Sequence, residues 1–269
     1  MVRSHPDRGP GEQNSQIEQD NSSEQTQSQI EGEAPAPASA GKRLSVARSD
    51  SPPASGCRYD AVLFDLLTAL LDSWTLWNRV AGCEKRGSEW RSAYLRRTYQ
   101  AGRYRPYETI VAVSATEVGL PGELAARLAA RYHELEPWPE VRDVLGALRG
   151  KGLRLGVVTN CSEALAATAV ACTDIDFDVV VTAERAGYYK PDPRPYEQAL
   201  AELRMTANRC VFVAGSAYDL FGASKIGLPT VWHDRIGIEP PPNIPEPLAH
   251  CRSLHPVLDP VRGGEPKPC

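Results

Sequence analysis

Six polar residues stand just behind short apolar runs, and their types suit attack on an electrophilic carbon. Asp65 closes the run Ala61-Val62-Leu63-Phe64. Thr159 and Asn160 close residues 153–158, Lys190 lies in the loop after residues 178–182, and Ser216 and Asp219 follow residues 210–214. A carboxylate can act as a nucleophile that forms an ester, a lysine can pair with it, and small hydroxyl and amide groups can donate to substrate oxygens. Each has an ordinary structural reading as well, since an Asp or Thr after a strand can cap a helix and Lys190-Pro191-Asp192 can be a plain turn. Chemistry requires a fold that brings these distant positions together.

Short apolar runs without polar alternation read as buried parallel strands. Segments of helical period separate them, at residues 140–149, 163–171 and 194–203, and Thr230-Val231-Trp232 adds a short fifth strand. This alternation predicts an α/β fold, a doubly wound, Rossmann-like parallel sheet whose strand-end loops open at one edge, where ligands bind. Residues 74–137 show helical periodicity and no good strand, with pieces at 76–81, 88–98, 108–118 and 123–135. Inserted after the first strand, they form a helical cap over that edge. The expected organisation is a core of residues 57–73 and 138–235, a cap of residues 74–137, and a Pro-rich, irregular C-terminal tail over 236–269. Residues 1–56, rich in Gln, Ser, Glu, Asn and Pro, lack the large apolar side chains that offset ordering entropy and are expected to be a disordered tail.

The formal net charge of −4 leaves no basic footprint for nucleic acid or an anionic membrane. No stretch reaches the ~18 apolar residues of a membrane span, and the N-terminus lacks the apolar core of a secretory signal. The 7 cysteines show no CxxC pair and no zinc spacing, which fits reduced thiols in the cytoplasm.

The four polar segments resemble, in order and spacing, the four motifs of the haloacid dehalogenase superfamily. They stand here as Phe64-Asp65-Leu66-Leu67-Thr68-Ala69-Leu70-Leu71-Asp72, Val158-Thr159-Asn160, Lys190-Pro191-Asp192 and Val213-Ala214-Gly215-Ser216-Ala217-Tyr218-Asp219, and the match covers roughly residues 58–235. Most members of that superfamily are magnesium phosphatases, which carry a general-acid Asp two positions after the nucleophile and a carboxylate just before the serine of the fourth motif. This chain has Leu67 and Gly215 at those places. Both departures are shared by the 2-haloacid dehalogenase branch, whose leaving halide needs no proton and whose chemistry uses neither metal nor cofactor.

The resemblance implies that Asp65 attacks C2 of a small 2-haloalkanoic acid, that halide departs, and that water hydrolyses the aspartyl ester. Lys190 would pair with Asp65. Asp219 would place Lys190 and orient or activate water, while Ser216 falls where dehalogenases carry an Asn that contacts the nucleophile or the water. Thr159 and Asn160 would donate to the substrate carboxylate, and Tyr196 matches a dehalogenase tyrosine. Arg96, with Arg97 as its rival, would receive the halide from the cap, and Trp74, Trp77 and Tyr94 would line an apolar pocket or pack the core. Dehalogenases have Gly-Thr at the third and fourth positions after the nucleophile, whereas Thr68-Ala69 stands here, so the hydroxyl has moved by one residue or is lost. The partners expected are a small carboxylate substrate and, from the resemblance, a second copy in a homodimer, with no nucleic acid or membrane. The alternatives are a superfamily hydrolase of a non-halogenated substrate, a phosphatase disfavoured by Leu67 and Gly215, and a non-catalytic relative that binds a ligand or protein. His233-Asp234, after the last strand, reads as a local hydrogen-bonded pair or as a contributor to the cleft.

Overall fold

Four consecutive apolar residues, Ala61–Phe64, form β1, and all four are buried, as a strand covered on both faces requires. A computed structural model describes residues 57–261, all within one unit, Asp50–Cys269. β1 lies between two parallel neighbours, β2 (Arg154–Thr159) and β4 (Cys210–Ala214), with Phe64 level with Val157 and Val213. β3 (Val179–Thr182) extends the sheet beyond β2, and β5 (Thr230–His233) with β6 (Ala249–Cys251) extends it beyond β4. The order is β3-β2-β1-β4-β5-β6, every pair parallel. The chain therefore reverses direction across the sheet between β1 and β4, and Asp65 lies at that switch point. Its amide donates to Val213 O at 2.9 Å, continuing the ladder one residue past the strand.

Between β1 and β2 run α1 (Ser73–Ala81), α2 (Glu84–Ala101), α3 (Tyr107–Glu117), α4 (Leu124–Ala130), a 3₁₀ turn (Tyr132–Glu134) and α5 (Val141–Gly150). α1 begins where the Asp72 carboxylate accepts from the Thr75 amide at 3.0 Å, a side-chain cap on an otherwise unpaired donor. α1 and α2 approach so closely that a Cβ on Gly87 would lie 2.4 Å from Asn78 Cα, so the crossing demands glycine. The insert is built on aromatic rings: Trp77 lies 4.5 Å from Trp90 and 5.3 Å from Tyr94, and Tyr94 lies 5.3 Å from Tyr107. Backbone bonds from Tyr104 N to Gly187 O and from Tyr189 N to Gly102 O, both 2.8 Å, tie the insert to the loop that leads into Lys190.

The remaining helices are α6 (Glu163–Thr173), α7 (Ala183–Ala186), α8 (Arg194–Leu203), α9 (Tyr218–Lys225) and α10 (Leu258–Val261). They differ from expectation chiefly in the C-terminal segment, expected to be irregular. It supplies β6, a 3₁₀ turn at His255–Val257 and α10, with Leu254, Val257 and Val261 fully buried. A three-residue strand at a sheet edge is too short to show a hydrophobic pattern, and its pairing is fixed by bonds such as Asp234 N to Cys251 O at 2.8 Å. The expected N-terminal tail, residues 1–56, lies outside the described residues, as do residues 262–269. No helix among the described residues is long and apolar enough to cross a membrane.

Candidate active site

Asp65 leaves β1 into a tight loop that folds back on its own carboxylate. The Thr68 and Ala69 amides point at Oδ2, at 3.2 and 3.4 Å, and Lys190 Nζ donates to Oδ1 at 2.9 Å. Gly215 makes this packing possible, because a Cβ there would sit 2.5 Å from Asp65 Oδ2 and 2.5 Å from the Ala69 amide nitrogen. A carboxylate-bearing residue at position 215 therefore requires both loops to move. Among the described residues no cluster of three or more His, Cys, Asp or Glu is arranged to hold a metal ion.

Lys190 is buried, with its ammonium 2.9 Å from Asp65 Oδ1 and 3.1 Å from Asp219 Oδ1. Burial pulls its pKa down, but the charges of Asp219 and Asp65 outweigh burial and hold it above the usual lysine value. One cation faces two carboxylates, so one negative charge remains uncompensated. The cost falls on Asp219: burial, reinforced by the nearby Asp65 charge, pushes its pKa up to about 6 against the pull of Lys190. The Tyr196 hydroxyl donates to Asp219 Oδ1 at 3.1 Å.

A cavity of ≈ 20 Å³ opens above Asp65, walled by residues of the sheet loops and of α2. On its sheet side, Thr159 is buried with a hydroxyl that has no hydrogen-bond partner among the described residues. On its helical side stands Arg91, also buried, whose Nη2 donates to Ser73 Oγ at 3.1 Å and lies 3.5 Å from Thr68 Oγ1. The guanidinium is flanked by the rings of Trp77 and Tyr94, 5.0 and 5.1 Å from their centroids. Its Nε and Nη1 have no hydrogen-bond partner, and no ion pair among the described residues includes it. A permanently charged group buried this way is costly unless something anionic completes it.

A carboxylate paired with a lysine, a second buried carboxylate behind it, and a buried arginine whose Nε and Nη1 lack acceptors among the described residues together fit displacement of an anionic leaving group. Comparison with known proteins agrees. The haloacid dehalogenase-like hydrolase family matches residues 59–227. The chain belongs to that family. It is 28% identical over 199 residues to haloacetate dehalogenase H-2 of Moraxella sp. (strain B), covering 67% of this chain and 88% of that protein. It is also 28% identical to (S)-2-haloacid dehalogenase 1 of Pseudomonas sp. (strain CBS-3), covering 68% and 86%. A crystal structure of a dehalogenase with an intermediate complex is 25% identical, with TM-score 0.66, covering 75% of this chain and 96% of that one. The L-2-haloacid dehalogenase of Xanthobacter autotrophicus, solved with chloropropionic acid covalently bound, shares the fold at TM-score 0.69 and 19% identity, covering 76% and 99%.

In this haloacid dehalogenase-like hydrolase the structure gathers Asp65, Thr68, Thr159, Asn160, Lys190, Ser216 and Asp219 on one cavity wall. Four expectations need correction. Arg96 does not face the cleft: its side chain is 52% exposed and pairs with Glu117 at 3.0 Å, and Arg97 pairs with the same carboxylate at 2.6 Å. Helical geometry explains this, since Arg91 shares the buried face of α2 with Tyr94 and Thr98, whereas positions 96 and 97 turn outward. Tyr196 is not on the cavity wall but behind it, bonded to Asp219. Asn160 uses its amide to brace the loop of Lys190, accepting from Lys190 N at 2.7 Å and donating to Lys190 O at 3.1 Å. His233 and Asp234 do not pair with each other: His233 Nδ1 bonds to Ala69 O at 3.0 Å and Asp234 accepts from His250 at 3.0 Å. Arg91, Leu95 and Tyr99 are the cavity residues that sequence reasoning missed, and for Arg91 the sequence offers no signal that separates it from Arg96 and Arg97 on the same helix.

Proposed function

We propose that this hydrolase displaces halide from a small 2-haloalkanoic acid through a covalent ester on Asp65, with the helical insert acting as the cap that closes the site. A carboxylate oxygen of Asp65 attacks C2, the C2–halogen bond breaks with its electron pair leaving on the halide, and the halide moves toward Arg91. The free Thr159 hydroxyl donates to the substrate carboxylate. Lys190 places the Asp65 carboxylate, and Asp219 in turn holds Lys190. Water then adds to Cγ of Asp65, the bond from Cγ to the oxygen that carries C2 breaks, and that oxygen leaves on C2 as the hydroxyl of a 2-hydroxy acid, with the Asp65 carboxylate restored. Asp219, with Ser216 beside it, accepts the water's proton during this step. Leu67 occupies the place from which a leaving-group oxygen would be protonated, and a departing halide needs no such acid.

The observation that carries this reading is the buried Arg91 guanidinium, with two nitrogens, Nε and Nη1, unpartnered among the described residues, in the cavity it shares with Asp65. The relatives named for haloacetate and (S)-2-haloacid support it. The test is halide release from chloroacetate and L-2-chloropropionate in the presence of a chelator, set beside nitrophenolate release from p-nitrophenyl phosphate with Mg²⁺. Halide release that survives chelation and disappears in Asp65→Asn is expected. Phosphatase turnover without halide release would contradict the reading.

A further inference from the structure

Tyr99 lies near the end of α2, and its ring stacks on that of Tyr218 at the start of α9, with centroids 4.0 Å apart and planes 12° from parallel. Ser216, which lines the same cavity, accepts with its hydroxyl from the Tyr218 amide at 3.4 Å. A ring held by a parallel stack on one face has little freedom to swing away. That ring is part of the cavity wall.

A 2-haloacid carries four groups on C2: the carboxylate, the halogen and two more. On the reading above, Thr159 takes the carboxylate, Arg91 the halogen and Asp65 the carbon itself. The side chains left to receive the other two groups are Leu67, Tyr94, Leu95 and Tyr99. In a haloacetate both are hydrogen. In a longer acid one is an alkyl group, which must lie against the wall held by the Tyr99–Tyr218 stack.

We propose that Tyr99 is a specificity-determining residue that restricts the substrate to two-carbon haloacids, the haloacetates, by holding the wall closed against an alkyl substituent on C2. This rests on the haloacid reading of the site and sharpens it to one substrate class.

The test is chloride release from chloroacetate, L-2-chloropropionate and L-2-chlorobutyrate. In the unaltered protein kcat/KM falls about tenfold or more per added carbon, the scale on which one methylene is discriminated. Tyr99→Ala moves the chloroacetate to chlorobutyrate ratio at least about tenfold toward the larger acid, while Tyr99→Phe, which keeps the stacked ring, preserves the original order. Tyr218→Ala, which removes the other ring of the stack, gives the same shift and serves where Tyr99→Ala fails to fold. Equal use of the three acids by the unaltered protein, or an unmoved ratio in both alanine variants, overturns the proposal. The filter is also read without turnover, by titrating acetate, propionate and butyrate into Asp65→Asn protein. Tightest binding of acetate is expected, and a flat series overturns the proposal. No chloride from any acid together with an acetate-selective series would sink the reaction and leave the filter standing.

Discussion

On the sheet side of the cleft every charged group is hydrogen-bonded to another, whereas on the helical side a buried cation has no ion pair among the described residues. Asp65, Lys190 and Asp219 satisfy one another within 2.9 to 3.1 Å, and the loop amides of Thr68 and Ala69 complete the nucleophile. Arg91, contributed by α2, is equally buried but keeps two nitrogens, Nε and Nη1, without acceptors among the described residues. The same contrast appears in the hydroxyls, since Tyr196 is bonded to Asp219 while Thr159 has no hydrogen-bond partner among the described residues. On the proposed reading, the groups that act on each other are the ones already engaged, and Arg91 and Thr159 are the ones that act on substrate. It also assigns the two half-reactions, with ester formation depending on both sides and ester hydrolysis mainly on the sheet side.

The largest effect expected is from the sheet side. Asp65→Asn lowers halide release by about 10³-fold or more, the order of loss when a nucleophile is removed, and the variant retains the fold. Arg91→Gln follows, with ester formation slowed by about 10² to 10³-fold, as when one preorganised electrostatic donor is lost. Rapid-quench measurement of the two steps checks the contrast, because hydrolysis of an ester already formed should be nearly unchanged. Equal slowing of both steps would erase the division between the two sides.

A smaller effect is set by pH. Asp219 has its pKa raised to about 6 by burial, so it is protonated below that value and ester hydrolysis falls about tenfold per pH unit there. The same group binds its proton more tightly in the folded protein than in the unfolded chain, where the ordinary value of 3.8 applies. Its contribution to stability is therefore full below about 3.8 and is lost as pH rises through about 6. Asp219→Asn removes this component from both the rate profile and the pH dependence of unfolding. The smallest effect is at the surface: Arg96→Ala breaks an exposed pair with Glu117, costs about 1 kcal/mol or less in denaturant unfolding, and leaves halide release unchanged.

Much of this contrast was legible before any coordinates, but unevenly. Buried parallel strands announce themselves as unbroken apolar runs, so β1 and β4 match the expected segments and the polar residues behind them converge as the parallel sheet requires. The helical insert was legible from its periodicity, yet the direction of a single arginine was not, because α2 carries Arg91, Arg96 and Arg97 within two turns and only the packing of Trp77, Trp90 and Tyr94 decides which is buried. β6 escaped notice because its three residues pair through backbone groups that sequence composition does not report. The amide bonds from Asn160 to the Lys190 backbone are likewise products of tertiary approach between loops 30 residues apart, and they turn an expected substrate contact into a brace.

The covalent step on Asp65 is tested most directly by a single turnover of chloroacetate in H₂¹⁸O with enzyme in excess. Water attacking the aspartyl carbonyl carbon leaves the solvent oxygen in the protein, so ¹⁸O should appear in the peptide that contains Asp65, and the glycolate released should carry unlabelled oxygen. Glycolate labelled in its first turnover, with the Asp65 peptide unlabelled, would mean that water attacks C2 itself and would contradict the account.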